Sequence, residues 1–218
     1  MDLLIFDLAG TLIDSRRDLA QSVNATRAHM SMGPLELDTV SSYVGNGAPL
    51  LMRRALGDQA TETEVQEALE FFLEHYREHA LDFTTLYPGV KESLERLAAA
   101  GKRMAVLTNK PVRMSRLIVD GLGIGPLLFQ VYGGNSFDFK KPHPIGIETL
   151  MREAGCGRPQ TMMVGDSSVD VETARNAEVA CCGVSWGFQP ESLSERPPDL
   201  LVDRMEQLAD WVLGAPGR

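Results

Sequence analysis

Four short polar groups each follow or open a hydrophobic segment. Asp7 ends the apolar run Leu3-Leu4-Ile5-Phe6 and leads into Leu8-Ala9-Gly10-Thr11-Leu12. Thr108-Asn109-Lys110-Pro111 follows Met104 to Leu107, and Gly165-Asp166-Ser167-Ser168-Val169-Asp170 follows Met162 to Val164. Lys141-Pro142-His143-Pro144 opens a helical pattern. Asp7 and Asp166 are hard oxygen ligands suited to Mg²⁺, which takes one or two carboxylates plus phosphate oxygens and water. Asp7 is equally suited to act as a carboxylate nucleophile and form an aspartyl phosphate. Thr108 and Asn109 offer donors to phosphoryl oxygens, and Lys141 supplies positive charge where negative charge gathers. Gly10 permits close approach of backbone N–H groups to an anion. Asp170, one helical turn past Asp166, can reach a metal through water or orient Lys141.

These groups need a scaffold that brings them together. Leu3 to Phe6, Met104 to Leu107, Met162 to Val164 and Val179 to Val184 read as buried strands, and Phe129 to Tyr132 as a weaker one. Helical faces lie between them: Val90, Leu94, Leu97 and Ala98; Met114, Leu117, Ile118 and Leu122; Ile147, Leu150, Met151 and Ala154. Strand–helix alternation implies an α/β, Rossmann-like three-layer core with a parallel sheet. In such a sheet all strand C-termini share one edge, where ligands bind. From about Ser15 to Tyr87 only helical patterns occur, with a long stripe through Val65, Ala68, Leu69, Phe72, Leu73 and Tyr76 and a weaker one through Leu19, Val23 and Met30. The expected organisation is therefore a core of residues 1–14 and 88–218, with 15–87 inserted as an all-helical cap domain. Tyr87-Pro88-Gly89 is the turn signal at its end.

Composition narrows the function classes. A chain of 218 residues can bury most of its unfolded surface, roughly 70 %, without disulfide or metal staples. Its net charge of −9 argues against nucleic acid or an anionic membrane as partner. No apolar run approaches the ~18 residues of a membrane span, and the first residues lack a signal-peptide pattern. Three cysteines, without zinc spacing, read as reduced thiols of a cytoplasmic protein. The expected partner is a small phosphorylated metabolite, and the expected assembly a monomer or homodimer.

Taken in order, Asp7-x-Ala9-Gly10-Thr11, Thr108-Asn109, Lys141-Pro142 and Gly165-Asp166-Ser167-x-x-Asp170 resemble the four motifs of the haloacid dehalogenase superfamily. Val44-Gly45-Asn46-Gly47-Ala48-Pro49, Thr108 to Pro111, Lys140 to Pro144 and Thr173-Ala174-Arg175-Asn176-Ala177 are similar to its phosphoglycolate phosphatase branch, so the likeness covers nearly the whole chain. The resemblance implies Mg²⁺-dependent hydrolysis of a small phosphate monoester through a phospho-aspartate. It implies catalytic roles at Asp7, position 9, Thr108 and Lys141. Gly10, Asn109, Asn46 and Gly47 would bind substrate; Asp7, the Ala9 carbonyl, Asp166 and Asp170 would serve the metal.

Position 9 departs from the pattern. Phosphatases of this family carry there an Asp that protonates the leaving alcohol and later activates water. A methyl group does neither, and loss of a general acid/base costs about 10²- to 10⁴-fold in rate. Three readings compete. The leading one is a phosphatase impaired at this residue. A phosphate-binding pseudoenzyme is the second. The third is a phosphonoacetaldehyde hydrolase, whose branch normally has Ala here. That chemistry needs a cap lysine for a Schiff base, and the first lysine after Met1 is Lys91. Retention of Asp166 and Asp170 disfavours a dehalogenase.

Other residues carry plainer expectations. Arg53 and Arg54 can pair with a carboxylate but fit an exposed helix face. His75 and His79 have the i, i+4 spacing of metal ligands without an evident third, so they read as a solvated or packed face. Trp186 and Phe188 read as packing residues near the site rim, Met162 and Met163 as core.

Overall fold

The computed structural model describes residues 1–214. In chain order the elements are β1 (Leu3–Phe6), β2 (Ile13–Asp14), α1 (Arg16–His29), α2 (Leu37–Ser42), α3 (Ala48–Leu56), α4 (Glu62–His79), β3 (Thr85–Leu86), α5 (Val90–Ala99) and β4 (Arg103–Leu107). They continue with α6 (Val112–Gly121), β5 (Gln130–Tyr132), α7 (Ile145–Ala154), β6 (Thr161–Gly165), α8 (Ser168–Asn176), β7 (Ala180–Val184), α9 (Ser192–Glu195), β8 (Leu200–Val202) and α10 (Met205–Leu213). The chain divides into two compact units, Met1–Ile13 with everything from Leu86 onward, and Asp14–Thr85.

The first unit is built on a six-stranded sheet in the order β5-β4-β1-β6-β7-β8, with every pairing parallel. Parallel strands are buried on both faces and so read as continuous apolar runs. Leu3, Leu4, Ile5 and Phe6 are all fully buried. Leu3 and Ile5 share one face with Ala105, Leu107 and Met163, and that face packs on Ile147 and Leu150 of α7 and Val171 and Ala174 of α8. Leu4 and Phe6 point the opposite way because strand side chains alternate. Helices α5 and α10 pack together, α5 also meeting β4 and α10 meeting β8. This is the expected Rossmann-like α/β fold.

Strand order decides where the chemistry can sit. The chain moves from β1 to β4 and β5 on one side, then returns to β6, β7 and β8 on the other. The reversal falls at β1, and open α/β sheets bind ligands outside the carboxyl ends of their strands at such a point. Phe6 pairs with Val106 and with Val164, so the ends of β1, β4 and β6 lie side by side in register.

The second unit is helical. Helix α4 starts on a capping box, Thr61 Oγ1 accepting from Glu64 N while Glu64 accepts from Thr61 N. Its stripe of Val65, Ala68, Phe72 and Tyr76 is buried, as are Leu19 and Val23 of α1, and the two helices pack together. Buried Asp18 accepts hydrogen bonds from Phe83 N, Thr84 N and Thr84 Oγ1, tying the segment after α4 to α1. The helical expectation for 15–87 needs one correction: Thr85–Leu86 is a strand, paired with Ile13–Asp14 in a two-stranded sheet. Strand β8 is a further element that the apolar pattern did not indicate.

Candidate active site

The site grows from three strand ends. Asp7 is the first residue past β1, and its N–H donates to Val164 O at 2.8 Å, extending the β1–β6 ladder by one residue. Thr108 follows β4, with its N–H on Tyr132 O at 3.0 Å. Asp166 follows β6, and Asp170 sits in the first turn of α8. Lys141 arrives on the loop before α7, through a cis Lys141–Pro142 peptide bond. Asp7, Lys141, Asp166 and Asp170 are between 1 and 8 % exposed. Each of the three carboxylates offers an oxygen within 4.8 Å of the others.

Lys141 joins two of them. Its Nζ donates to Asp7 Oδ1 at 2.7 Å and to Asp170 Oδ1 at 2.6 Å. Burial alone would depress the lysine, but Asp170 and Asp7 outweigh it and hold the ammonium firmly protonated. Asp7 is raised, chiefly by burial, with Lys141 pulling it back and Asp170 adding to the rise. Asp166 is pushed up to about 8 by burial and by the charges of Asp170 and Asp7. One ammonium among three buried carboxylates leaves negative charge unbalanced. Hard oxygen ligands with a charge deficit of this kind fit a divalent cation such as Mg²⁺.

The second oxygens are also committed. Asp170 Oδ2 accepts from Ser167 N at 3.2 Å and Ser167 Oγ at 2.7 Å, a capping box at the start of α8. With Oδ1 on Lys141, Asp170 is placed to orient the lysine rather than to present a free oxygen. Asp166 Oδ2 accepts from Phe188 N at 2.7 Å and Gln189 N at 3.4 Å. Its Oδ1 receives only a long contact, 3.5 Å from Thr11 Oγ1.

Two expected phosphate donors act differently. The N–H of Gly10 donates to Ile13 O at 2.9 Å inside the turn, so it is not available to an anion. Gly10 is required for another reason. Its φ is +90°, and a Cβ there would collide with the Asp166 carboxylate. Asn109 Nδ2 donates to the Lys141 carbonyl at 3.1 Å, which positions the lysine loop. Ala9 is half-buried between Asp7 and this turn.

Asn46 and Gly47 belong to the helical unit. Gly47, at φ +91°, precedes α3, and Asn46 stands in the turn before it. Arg53 is engaged by Ala60 O and Glu62, and Arg54 donates to Tyr43 O at 3.0 Å, so both brace their own unit. His75 Nδ1 lies 3.0 Å from Ser22 Oγ and His79 Nδ1 lies 2.8 Å from Asp82 Oδ2, with the rings 4.3 Å apart. Among the described residues only Asp7, Asp166 and Asp170 group as metal ligands. Cys156, Cys181 and Cys182 are free thiols, and burial pushes Cys182 up to about 12. No helix among the described residues is long and apolar enough to cross a membrane.

The sequence reading gave Trp186 and Phe188, after β7, only a packing role near the site rim. Phe188 contributes a backbone N–H, which no side-chain pattern reveals, and Trp186 Nε1 donates to Thr11 O at 3.2 Å. The Ser167–Asp170 box was open to reading, since Ser-x-x-Asp before a helix is a capping spacing.

Residues 4–184 match the family model described as haloacid dehalogenase-like hydrolase. A phosphoglycolate phosphatase of Pseudomonas syringae pathovar tomato is 38 % identical over 217 residues, covering 97 % of this chain and 79 % of that protein. A phosphoglycolate phosphatase of Colwellia psychrerythraea is 36 % identical over 214 residues, covering 95 % of each. The crystal structure of a predicted phosphoglycolate phosphatase from Haemophilus somnus superposes with a TM-score of 0.91 at 32 % identity, covering 99 % of this chain and 98 % of that one.

Proposed function

This chain belongs to the haloacid dehalogenase-like hydrolases, and from that premise we propose that it is a Mg²⁺-dependent phosphatase of a small phosphorylated metabolite, similar to phosphoglycolate phosphatases and slowed by the alanine at position 9. The observation that carries this reading is the buried cluster of Asp7, Asp166 and Asp170 around one lysine at the end of β1.

Asp7 is the nucleophile. One of its carboxylate oxygens attacks phosphorus in line, an Asp7 O–P bond forms, and the P–O bond to the alcohol breaks. The electron pair leaves with the alcohol oxygen. Ala9 has no proton to give, so that oxygen takes one from water. In the second half, water attacks phosphorus, the Asp7 O–P bond breaks, the proton of the attacking water goes to the hydroxide left by the first half, and inorganic phosphate leaves with Asp7 regenerated. Here too no carboxylate at position 9 removes the proton of the attacking water. Lys141, held charged against Asp7, offsets the negative charge of the transferring group. Thr108 Oγ1 is the nearby hydroxyl donor at the end of β4, and Asn109 acts through Lys141. Asp7, Asp166 and the Ala9 carbonyl would hold Mg²⁺, with Asp170 behind Lys141; the cation supplies charge stabilisation to the phosphoryl oxygens. The substrate-binding role of Asn46 and Gly47 rests on the sequence resemblance, and a raised KM in Asn46→Ala would support it.

The test is Mg²⁺-dependent phosphate release from a panel of small phosphate esters, by this chain and by Ala9→Asp side by side. The expected outcome is a gain of about 10²- to 10⁴-fold on alkyl esters. Absence of turnover by both proteins, with both folded and binding Mg²⁺, would overturn the reading.

A further inference from the structure

The segment that follows β7 makes three hydrogen bonds to the site from a stretch of four residues. Trp186 Nε1 donates to Thr11 O at 3.2 Å, reaching the turn that follows Asp7. Phe188 N donates to Asp166 Oδ2 at 2.7 Å, and Gln189 N approaches the same oxygen at 3.4 Å. Gly187 lies between these ties. A Cβ on Gly187 would collide with the Cβ and the carboxylate of Asp166. A Cβ on Gly10 would collide with that carboxylate too. Asp166 therefore occupies a slot bounded by two glycines, with one oxygen pinned by backbone N–H groups. Among the described residues its other oxygen has only the 3.5 Å contact to Thr11.

We propose that Trp186, Gly187 and the N–H of Phe188 form a positioning device that selects the Asp166 rotamer and presents Oδ1 to the divalent cation. The indole anchors the segment to the Asp7 turn, so the two carboxylates are referenced to one another through it. Gly187 supplies the space and Phe188 the fixed donor. Partners of this kind set metal affinity through the ligands they hold. Trp186 and Phe188 thus do more than pack at the rim. The inference rests on the reading of Asp166 as a metal ligand.

The experiment measures Mg²⁺ affinity directly, by titration calorimetry on the full chain. Trp186→Phe keeps a ring and removes the N–H; Gly187→Ala adds the colliding methyl. Each is expected to weaken Mg²⁺ binding by about 10- to 100-fold, with the circular dichroism spectrum unchanged. A second readout uses the only two tryptophans of the chain. In a Trp211→Phe background, Mg²⁺ should change the Trp186 emission along the calorimetric isotherm, and Asp166→Asn should abolish the change. If Gly187→Ala does not fold, Trp186→Phe decides. Folded variants that bind Mg²⁺ like the parent chain, where Asp166→Asn loses it, overturn this inference alone. A parent chain that binds no Mg²⁺, or binds it equally with Asp166→Asn, overturns the metal-ligand reading and this inference with it.

Discussion

Lys141 and Asp170 meet at 2.6 Å, and the same ammonium reaches Asp7 at 2.7 Å. Among the described residues neither carboxylate is paired with any other cation. The lysine is therefore the sole cationic side chain paired with this cluster among the described residues, and its removal strands two buried charges. Breaking a buried pair from one side costs about 3–5 kcal/mol. Lys141→Ala is expected to lose about that much stability in urea unfolding without metal at pH 8. The loss should shrink near pH 6, where a carboxylate can take up a proton. An unchanged unfolding midpoint at pH 8 would mean that the ion pairs do not hold this loop.

The raised Asp166 gives the metal-free protein a definite pH dependence. Its value in the folded chain is about 8, against 3.8 for the ordinary group. Between those values the folded state binds the proton more tightly than the unfolded state does. Stability from this group is complete below about pH 4 and is lost as pH rises through 8. Urea midpoints measured without metal should fall across that window. Saturating Mg²⁺ should flatten the fall, because the cation favours the ionised carboxylate. A midpoint that climbs from pH 6 to 8 without metal would contradict the assignment.

Ala9 predicts a steep dependence on the leaving group. An aryl phosphate departs as a stabilised phenolate and needs little protonation, whereas an alkyl phosphate departs as a strongly basic alkoxide. The aryl-to-alkyl ratio of kcat/KM should be large for this chain and should collapse in Ala9→Asp by about 10²-fold or more. In rapid-quench experiments with an aryl ester the parent chain should accumulate phosphate on Asp7. Equal ratios in the two proteins would show that position 9 does not govern proton delivery.

Asp18 offers a test within the helical unit. Its carboxylate satisfies Phe83 N, Thr84 N and Thr84 Oγ1. Asp18→Ala leaves those donors without their acceptor, and leaving buried donors unsatisfied costs about 1–3 kcal/mol. The expected result is a loss of about 3 kcal/mol and faster proteolysis within residues 80–86. A protease-resistant variant would show that the segment is held by packing alone.

The sequence was most readable where burial is complete. Strands β1, β4, β6 and β7 are apolar on both faces, so their runs appear without alternation, and the sheet and its polar ends follow. Strand β8 is only Leu200-Leu201-Val202, between Asp199 and Asp203, too short to stand out. Strands β2 and β3 have two residues each and exist only through their mutual pairing. At the site, residue types at strand ends and helix starts marked Asp7, Asp166, Asp170 and Lys141 as candidates, and the order of the four motifs joined them into one group. They did not show that Gly10 spends its N–H in the turn or that Asn109 holds the Lys141 carbonyl. Those assignments depend on where backbone groups point, and backbone donors carry no side-chain signature. The contribution of Phe188 was missed for that reason.

The position of β1 between β4 and β6 governs how this protein must be born. Its first strand emerges from the ribosome with neither neighbour yet made, and both of its hydrogen-bonding edges stay open while the helical segment is synthesised. That segment is rich in local contacts and can form early. The sheet cannot close around β1 until β6 has appeared. Non-local parallel pairing is slow, and an unpaired apolar strand is a template for aggregation. Nascent chains stalled before β6 should therefore engage chaperones through Leu3 to Phe6, and Asp7 and Asp166 should come together only after β6 has been made.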